Sequence, residues 1–150
     1  MNYTADFCRK NSIPFAFDPG QQLNNYIGKS DEFLEAIKGA ELLFLNELEY
    51  KLVIETLKVS EFEILDRVQS LIVTKSCKPV EVRSLELDIN FEVSVDCIDN
   101  PVDTTGAGDA FRAGFMDSYL NHKDLKECVI NGSILASKSV LHKHPQGYEI

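Results

Sequence analysis

Seven consecutive residues near the end of the chain, Asp103-Thr104-Thr105-Gly106-Ala107-Gly108-Asp109, run straight into a helical stretch, Ala110-Phe111-Arg112-Ala113-Gly114-Phe115. Glycines at 106 and 108 let a backbone bend tightly and come close to a ligand. The helix start beyond them offers unpaired N–H groups and the positive end of the helix dipole, both of which favour an anion. Asp109 runs against that preference, because a carboxylate in an anion cradle repels phosphate. The task that suits it is accepting a proton from a hydroxyl that attacks the phosphate. Residue types alone also allow a plainer reading, a helix start capped by Asp103 or Thr105 with glycines for a tight turn. Other phosphate loops fit worse. A Walker A loop needs Lys after the second glycine, where this chain has Asp109, and a dinucleotide fingerprint needs glycine where it has Phe111.

A second cluster is Asn46-Glu47-Leu48-Glu49, which follows the apolar run Glu41–Leu45. Taken alone it reads as a helix cap, with Asn46 at the start and Glu49 at the third helical position. Histidines 142 and 144 lie in the tail without carboxylates beside them, which argues for solvent exposure over acid–base work.

The elements that must position these residues follow from apolar periodicity. Ile13–Phe17, Glu41–Leu45 and Leu71–Thr74 are short apolar runs that predict buried strands, the first ended by Asp18-Pro19-Gly20. Helices are predicted at Asp31–Lys38, from Asn46 to about Leu57, at Glu61–Val68, at Asp109–Leu120 and at Leu125–Leu141. The Asp109 helix is apolar on most sides and is expected to be buried. Val80–Leu87 and Asn90–Val95 alternate apolar and polar residues as an antiparallel ribbon does. Strand–helix alternation gives an α/β fold, a parallel sheet with a small antiparallel insert.

Composition sets outer bounds. At 150 residues, 44% hydrophobic and 26% charged, the chain has the length and core content of one globular domain. A net charge of -9, from 24 acidic and 15 basic residues, disfavours nucleic acid and anionic membranes as partners. Any phosphate site must be built locally from amides, helix ends and a metal. The four cysteines, Cys8, Cys77, Cys97 and Cys128, form no CxxC, which predicts reduced thiols in a cytoplasmic protein with neither zinc nor disulfides. No signal peptide or membrane-spanning run is read from the sequence.

The stretch from Asp103 to Phe115 resembles the C-terminal signature of the pfkB, or ribokinase-like, carbohydrate kinases, DTxGAGD followed by a buried helix. The resemblance implies a Rossmann-like three-layer sandwich and ATP-dependent transfer of a phosphoryl group to a hydroxyl of a sugar or nucleoside, adenosine among them. It makes Asp109 the catalytic base and Thr105, Gly106, Ala107 and Gly108 the anion hole. Asn46 and Glu49 match the family's Asn-x-x-Glu motif, which is tied to Mg²⁺ and phosphate through water. Pro14–Gln21 is similar to the Asp-Pro turn of adenosine-kinase-like members. Thr74, Lys75 and Ser76 fall on the loop that lies along the nucleotide, but the glycines that the family carries after Lys75 are replaced by Ser76-Cys77-Lys78-Pro79. The resemblance spans residues 1–150 as the C-terminal half of a family member only. The half with the substrate-binding residues and lid is expected to be missing, so the chain alone is expected to be inactive, either a kinase remnant that at most binds nucleotide or one piece of a split enzyme that pairs with a complementary half, and to self-associate on its own.

Overall fold

The computed structural model describes residues 3–142, in two compact units: residues up to 75 together with 81–92, and residues 76–80 together with those from 93 onward.

The first unit is built on strands β1 (Ala16–Phe17), β2 (Leu42–Asn46) and β3 (Ser70–Lys75). β1 pairs with β2 and β2 with β3, both parallel, and the register sets Leu43 opposite Leu71 and Asn46 opposite Thr74. Leu43, Leu45, Leu71 and Val73 point to one face, as the two-residue period of a strand requires. There they join Phe33, Ala36 and Ile37 of helix α2 (Ser30–Ile37) in the main apolar cluster. Leu42, Phe44 and Ile72, on the opposite face, are also buried. Strands buried on both faces read as continuous apolar runs, which is why β2 and β3 stand out in the sequence. Before them lie helix α1 (Tyr3–Lys10) and a 3-10 turn, Gly20–Tyr26, whose Tyr26 ring meets Phe33 edge-on at 5.6 Å between centroids.

Several boundaries differ from expectation for local reasons. The helix after β2 starts as α3 (Glu47–Lys51) and widens into a π-turn, Leu52–Thr56, where Leu57 N–H reaches back to the Leu52 carbonyl at 3.0 Å. That widening leaves both Val53 and Leu57 buried. Helix α4 is shorter than its apolar pattern, Glu61–Leu65, and is started by a reciprocal cap between Ser60 and Glu63. The expected antiparallel ribbon is present and continuous with the parallel strands. β4 (Lys78–Ser84) and β5 (Ile89–Val93) extend the same sheet, in the order β1-β2-β3-β4-β5. A two-residue turn at Ser76-Cys77 folds β4 back beside β3, which forces that pairing.

The second unit centres on helices α5 (Ala107–Leu120) and α6 (Leu125–Ser139). They touch where each carries a glycine. A methyl group on Gly132 would sit 2.7 Å from the Phe111 carbonyl oxygen, and one on Gly114 would sit 2.8 Å from that of Asn131. Asn131 Nδ2 donates to Ser118 Oγ at 2.8 Å across the same interface. α5 buries Ala110, Phe111, Gly114, Phe115 and Ser118 but leaves Leu120 69% exposed, so it is buried on one side and not on most.

The expectation of four reduced thiols is corrected. Cys77, in the β3–β4 turn, and Cys97, beyond β5, are joined as a disulfide with their Cα atoms 4.9 Å apart. Sequence spacing gave no sign of it, because it is the hairpin turn that carries Cys77 to Cys97. Cys8 and Cys128 remain free, Cys128 fully buried.

Two outcomes follow from this packing. Gly114→Ala and Gly132→Ala each force backbone apart and should cost about 1–3 kcal/mol in urea unfolding, with far-UV dichroism unchanged. Stability should also fall as pH rises from about 9 toward about 11. Burial raises the Cys128 thiol from 9.0 to about 11 and raises the Tyr26 and Tyr50 hydroxyls above 10.0. The unfolded chain therefore loses these protons first, which favours unfolding. Urea midpoints at pH 8 and pH 10.5, expected to drop at the higher pH, check this.

Candidate active site

The first unit gathers four of the expected site residues at the carboxyl ends of β2 and β3, the end of a parallel sheet where ligands bind. Asn46 closes β2 directly beside Thr74. Its Oδ1 accepts the N–H groups of Leu48 and Glu49, both at 2.9 Å, while a Glu49 carboxylate oxygen accepts the Asn46 N–H at 2.8 Å. The cap reading is therefore correct, and it fixes both side chains at the head of α3. Lys75, next along β3, is ion-paired with Glu81, which is only 8% exposed. Arg83 binds the other Glu81 oxygen as well as Glu61, and Glu61 accepts the Tyr50 hydroxyl. Burial opposes the charge on Arg83, but Glu61 and Glu81 outweigh it and raise its pKa. Burial and then Glu61 raise that of Tyr50. The chain from Tyr50 to Lys75 locks α3, α4 and the end of β3 together. Sequence reading missed Glu81, which lies six residues beyond Lys75 on the returning strand β4.

Asp18 of the Asp-Pro-Gly turn accepts the Gly20 N–H at 2.9 Å, and Gly20 has φ +49, so this segment is a turn in its own right. Ser76, in the second unit, adopts φ 51. The turn that lacks the expected glycine still takes up the left-handed conformation that glycine would supply.

The glycine turn lies wholly in the second unit. Asp103 Oδ1 accepts the Thr105 N–H at 2.8 Å, tightening the loop from inside. Neither Asp103 nor Thr105 caps α5. The cap position is Gly106, with φ 80 and no side-chain bond to the helix. Ala107 N–H is turned back to the Thr104 carbonyl at 3.2 Å, and Ala110 N–H bonds Gly106 O at 2.9 Å. Among the described residues, the N–H groups of Gly108 and Asp109 have no backbone acceptor, so the head of α5 presents donors outward. Gly108 has ordinary helical geometry, and a methyl group there would meet only the flexible Arg112 guanidinium, at 3.4 Å. Backbone conformation demands glycine at 106 and not at 108. Asp109 is 81% exposed and paired with Arg112 one turn on, a partner that the i, i+3 spacing makes legible but that sequence reading passed over.

A cavity of about 300 Å³ in the same unit is lined by Val95, Ile98, Ile130, Ile134 and Leu141, with Ser133 and Ser137 among its polar groups. His142 is exposed, and His144 and the Gly147 tail lie outside the described residues.

The chain as a whole has known relatives. The model of the pfkB family of carbohydrate kinases matches residues 2–149. This chain belongs to that family. The nucleoside kinase of Methanocaldococcus jannaschii is 35% identical over 124 residues, which cover 81% of this chain and 39% of that protein. The crystal structure of that archaeal member of the ribokinase family matches with a TM-score of 0.81 at 34% identity, over 89% of this chain and 44% of the other. A nucleoside kinase of Burkholderia thailandensis, solved with inosine, gives 0.82 at 30% identity, over 94% and 46%. The chain thus spans less than half of the length of these relatives. The ribokinase-like α/β fold expected from the sequence is the one found. Among the described residues no helix is long and apolar enough to cross a membrane.

The two glycines give opposite expectations. Gly106→Ala must place a Cβ at positive φ and should lose about 1 kcal/mol or more in thermal unfolding. Gly108→Ala should gain about 0.5–1 kcal/mol, since glycine inside a helix is intrinsically unfavourable.

Proposed function

We propose that the chain is the phosphate-handling part of an ATP-dependent nucleoside kinase of the pfkB family. The observation that carries this reading is Gly108: a glycine that neither backbone angle nor neighbouring atoms require, at a helix head whose N–H groups are open. Such a position suits an anion pressed against the backbone. Thr105 and Gly106–Gly108 would cradle the transferring phosphoryl group, and Asp109 would take the proton from the attacking hydroxyl. Arg112 would hold the Asp109 carboxylate until an acceptor hydroxyl displaces it. Thr74, Lys75 and Ser76 would follow the nucleotide, and the apolar cavity beside Ile134 has the size and lining for a planar base. ATP bound there would supply the phosphoryl group, and Mg²⁺ held through Asn46 and Glu49 would supply countercharge to its phosphates.

The donor set fits that ion. Among the described residues no cluster of three His, Cys, Asp or Glu could hold a metal by itself. Mg²⁺ in phosphoryl transfer keeps several waters and leans on the phosphates, leaving Asn46 and Glu49 a water-mediated role. A nucleoside acceptor is favoured over a free sugar by the likeness to relatives named as nucleoside kinases, one of them solved with inosine. ATP as co-substrate fits a cytoplasmic setting. Because the chain spans 39% of the Methanocaldococcus protein, turnover is expected to need the remaining part, from a complementary chain or a second protein segment. Positioning and electrostatics do this chemistry, and both need a closed cleft.

The test joins the chain to the part of the Methanocaldococcus kinase that precedes the matched region and measures ADP release with inosine, adenosine and ribose. Turnover with a nucleoside that falls ~10²–10⁴-fold in Asp109→Asn supports the reading, that being the usual contribution of a general base. Near-parent rates in Asp109→Asn would show that another group takes the proton. The unjoined chain should consume no ATP, and turnover that survives repurification and needs Asp109 would contradict the need for a second part.

A further inference from the structure

We propose that Cys77 and Cys97 form a thiol–disulfide exchange site that clasps and releases the segment leading into the glycine turn. Both residues are exposed, so an incoming thiolate has access to either sulfur. The other two cysteines are not comparable. Cys128 is fully buried, with its thiol pushed up to about 11, and Cys8 is half-buried with no cysteine partner. The exposed pair is therefore where exchange chemistry is confined.

Its place in the fold gives the exchange a consequence. Residues 94–106 have no regular secondary structure. Toward the glycine turn the segment is held by Val102 and Asp103 N–H bonds to the Val140 carbonyl, at 2.7 and 3.3 Å. At its other end the described ties are the disulfide and a long Ser137 hydroxyl bond to the Asp96 carbonyl, at 3.5 Å. Breaking the S–S bond removes the one covalent tie of that end and leaves it held by the Ser137 bond and by Val95 and Ile98 beside α6. The same bond fixes the turn in which Ser76 holds its positive φ, so one covalent link governs two of the stretches assigned to the nucleotide.

The co-reactant is a low-molecular-weight thiol and its disulfide, glutathione serving as the probe. A glutathione thiolate attacks one sulfur, forms a mixed disulfide and expels the other cysteine as a thiolate, which takes up a proton. A second glutathione thiolate then attacks the mixed disulfide, freeing the remaining cysteine thiol and leaving oxidised glutathione. Two electrons and two protons pass to the protein, and oxidised glutathione drives the reverse.

The exchange does not rest on the kinase reading and is tested without ATP. The full chain is equilibrated under native conditions in glutathione buffers of varied ratio, acid-quenched, alkylated and mapped by mass spectrometry. Cys77 and Cys97 should become alkylated together, with the same half-point approached from either direction, while Cys128 stays unlabelled. Amide hydrogen exchange over 94–106 should rise about tenfold or more on reduction, as expected for a loop that has lost its anchor, with β2 and β3 unchanged. A C77S/C97S variant should match the reduced chain and no longer respond to the buffer. Free thiols at both positions at every ratio would overturn the proposal. So would a link that opens only on denaturation, or equal exchange over 94–106 in the two redox states.

Discussion

The parallel pairing of β2 with β3 is the constraint on which the first unit depends. Both strands are buried on both faces, so a slip of one residue would turn every side chain to the wrong layer. That register sets Asn46 against Thr74 and delivers both to one end of the sheet. The polar chain from Tyr50 through Glu61, Arg83 and Glu81 to Lys75 is built on the same ends. A partly buried network of this kind stabilises best when every member is satisfied, and each of these charges has its partner. Its effect is to tie α3, through Tyr50, to α4 and the end of β3.

The second unit solves a different problem. An anion site at a helix head must stay open, yet the helix must not fray. α5 meets this by anchoring its far side against α6, where paired glycines let the backbones approach closely, while its first turn is left without a side-chain cap. The positive φ of the turn requires glycine at 106, whereas neither backbone nor neighbouring atoms require it at 108, and on that difference the proposed phosphate site rests.

Much of this was legible in the sequence, for identifiable reasons. β2 and β3 were readable because strands buried on both faces are apolar throughout. The Asn46–Glu49 cap was readable because its residue types recur at fixed offsets. The glycine turn stood out by its residue types, and the plainer reading with Asp103 or Thr105 as cap does not hold, because Gly106 occupies the cap position. What stayed hidden was tertiary. The widening to a π-turn after Lys51 depends on where Val53 and Leu57 can be buried. The Glu81–Lys75 pair depends on a two-residue hairpin, and the Cys77–Cys97 bond on where that hairpin's tip lies. Where the family carries glycine after Lys75 this chain has Ser76, yet Ser76 takes the left-handed conformation within a tight turn, a backbone state that non-glycine residues adopt uncommonly and mostly in turns.

The central claim is that the head of α5 binds the phosphates of a nucleotide. The most direct measurement is a titration of the isotope-labelled chain with Mg²⁺–ATP, followed by amide proton–nitrogen correlation spectra. Saturable shifts concentrated at Gly106, Gly108 and Asp109, reproduced more weakly by Mg²⁺–ADP and absent with adenosine, are the predicted result. Shifts confined to other regions, or a turn that adenosine perturbs as strongly as ATP, would contradict the account.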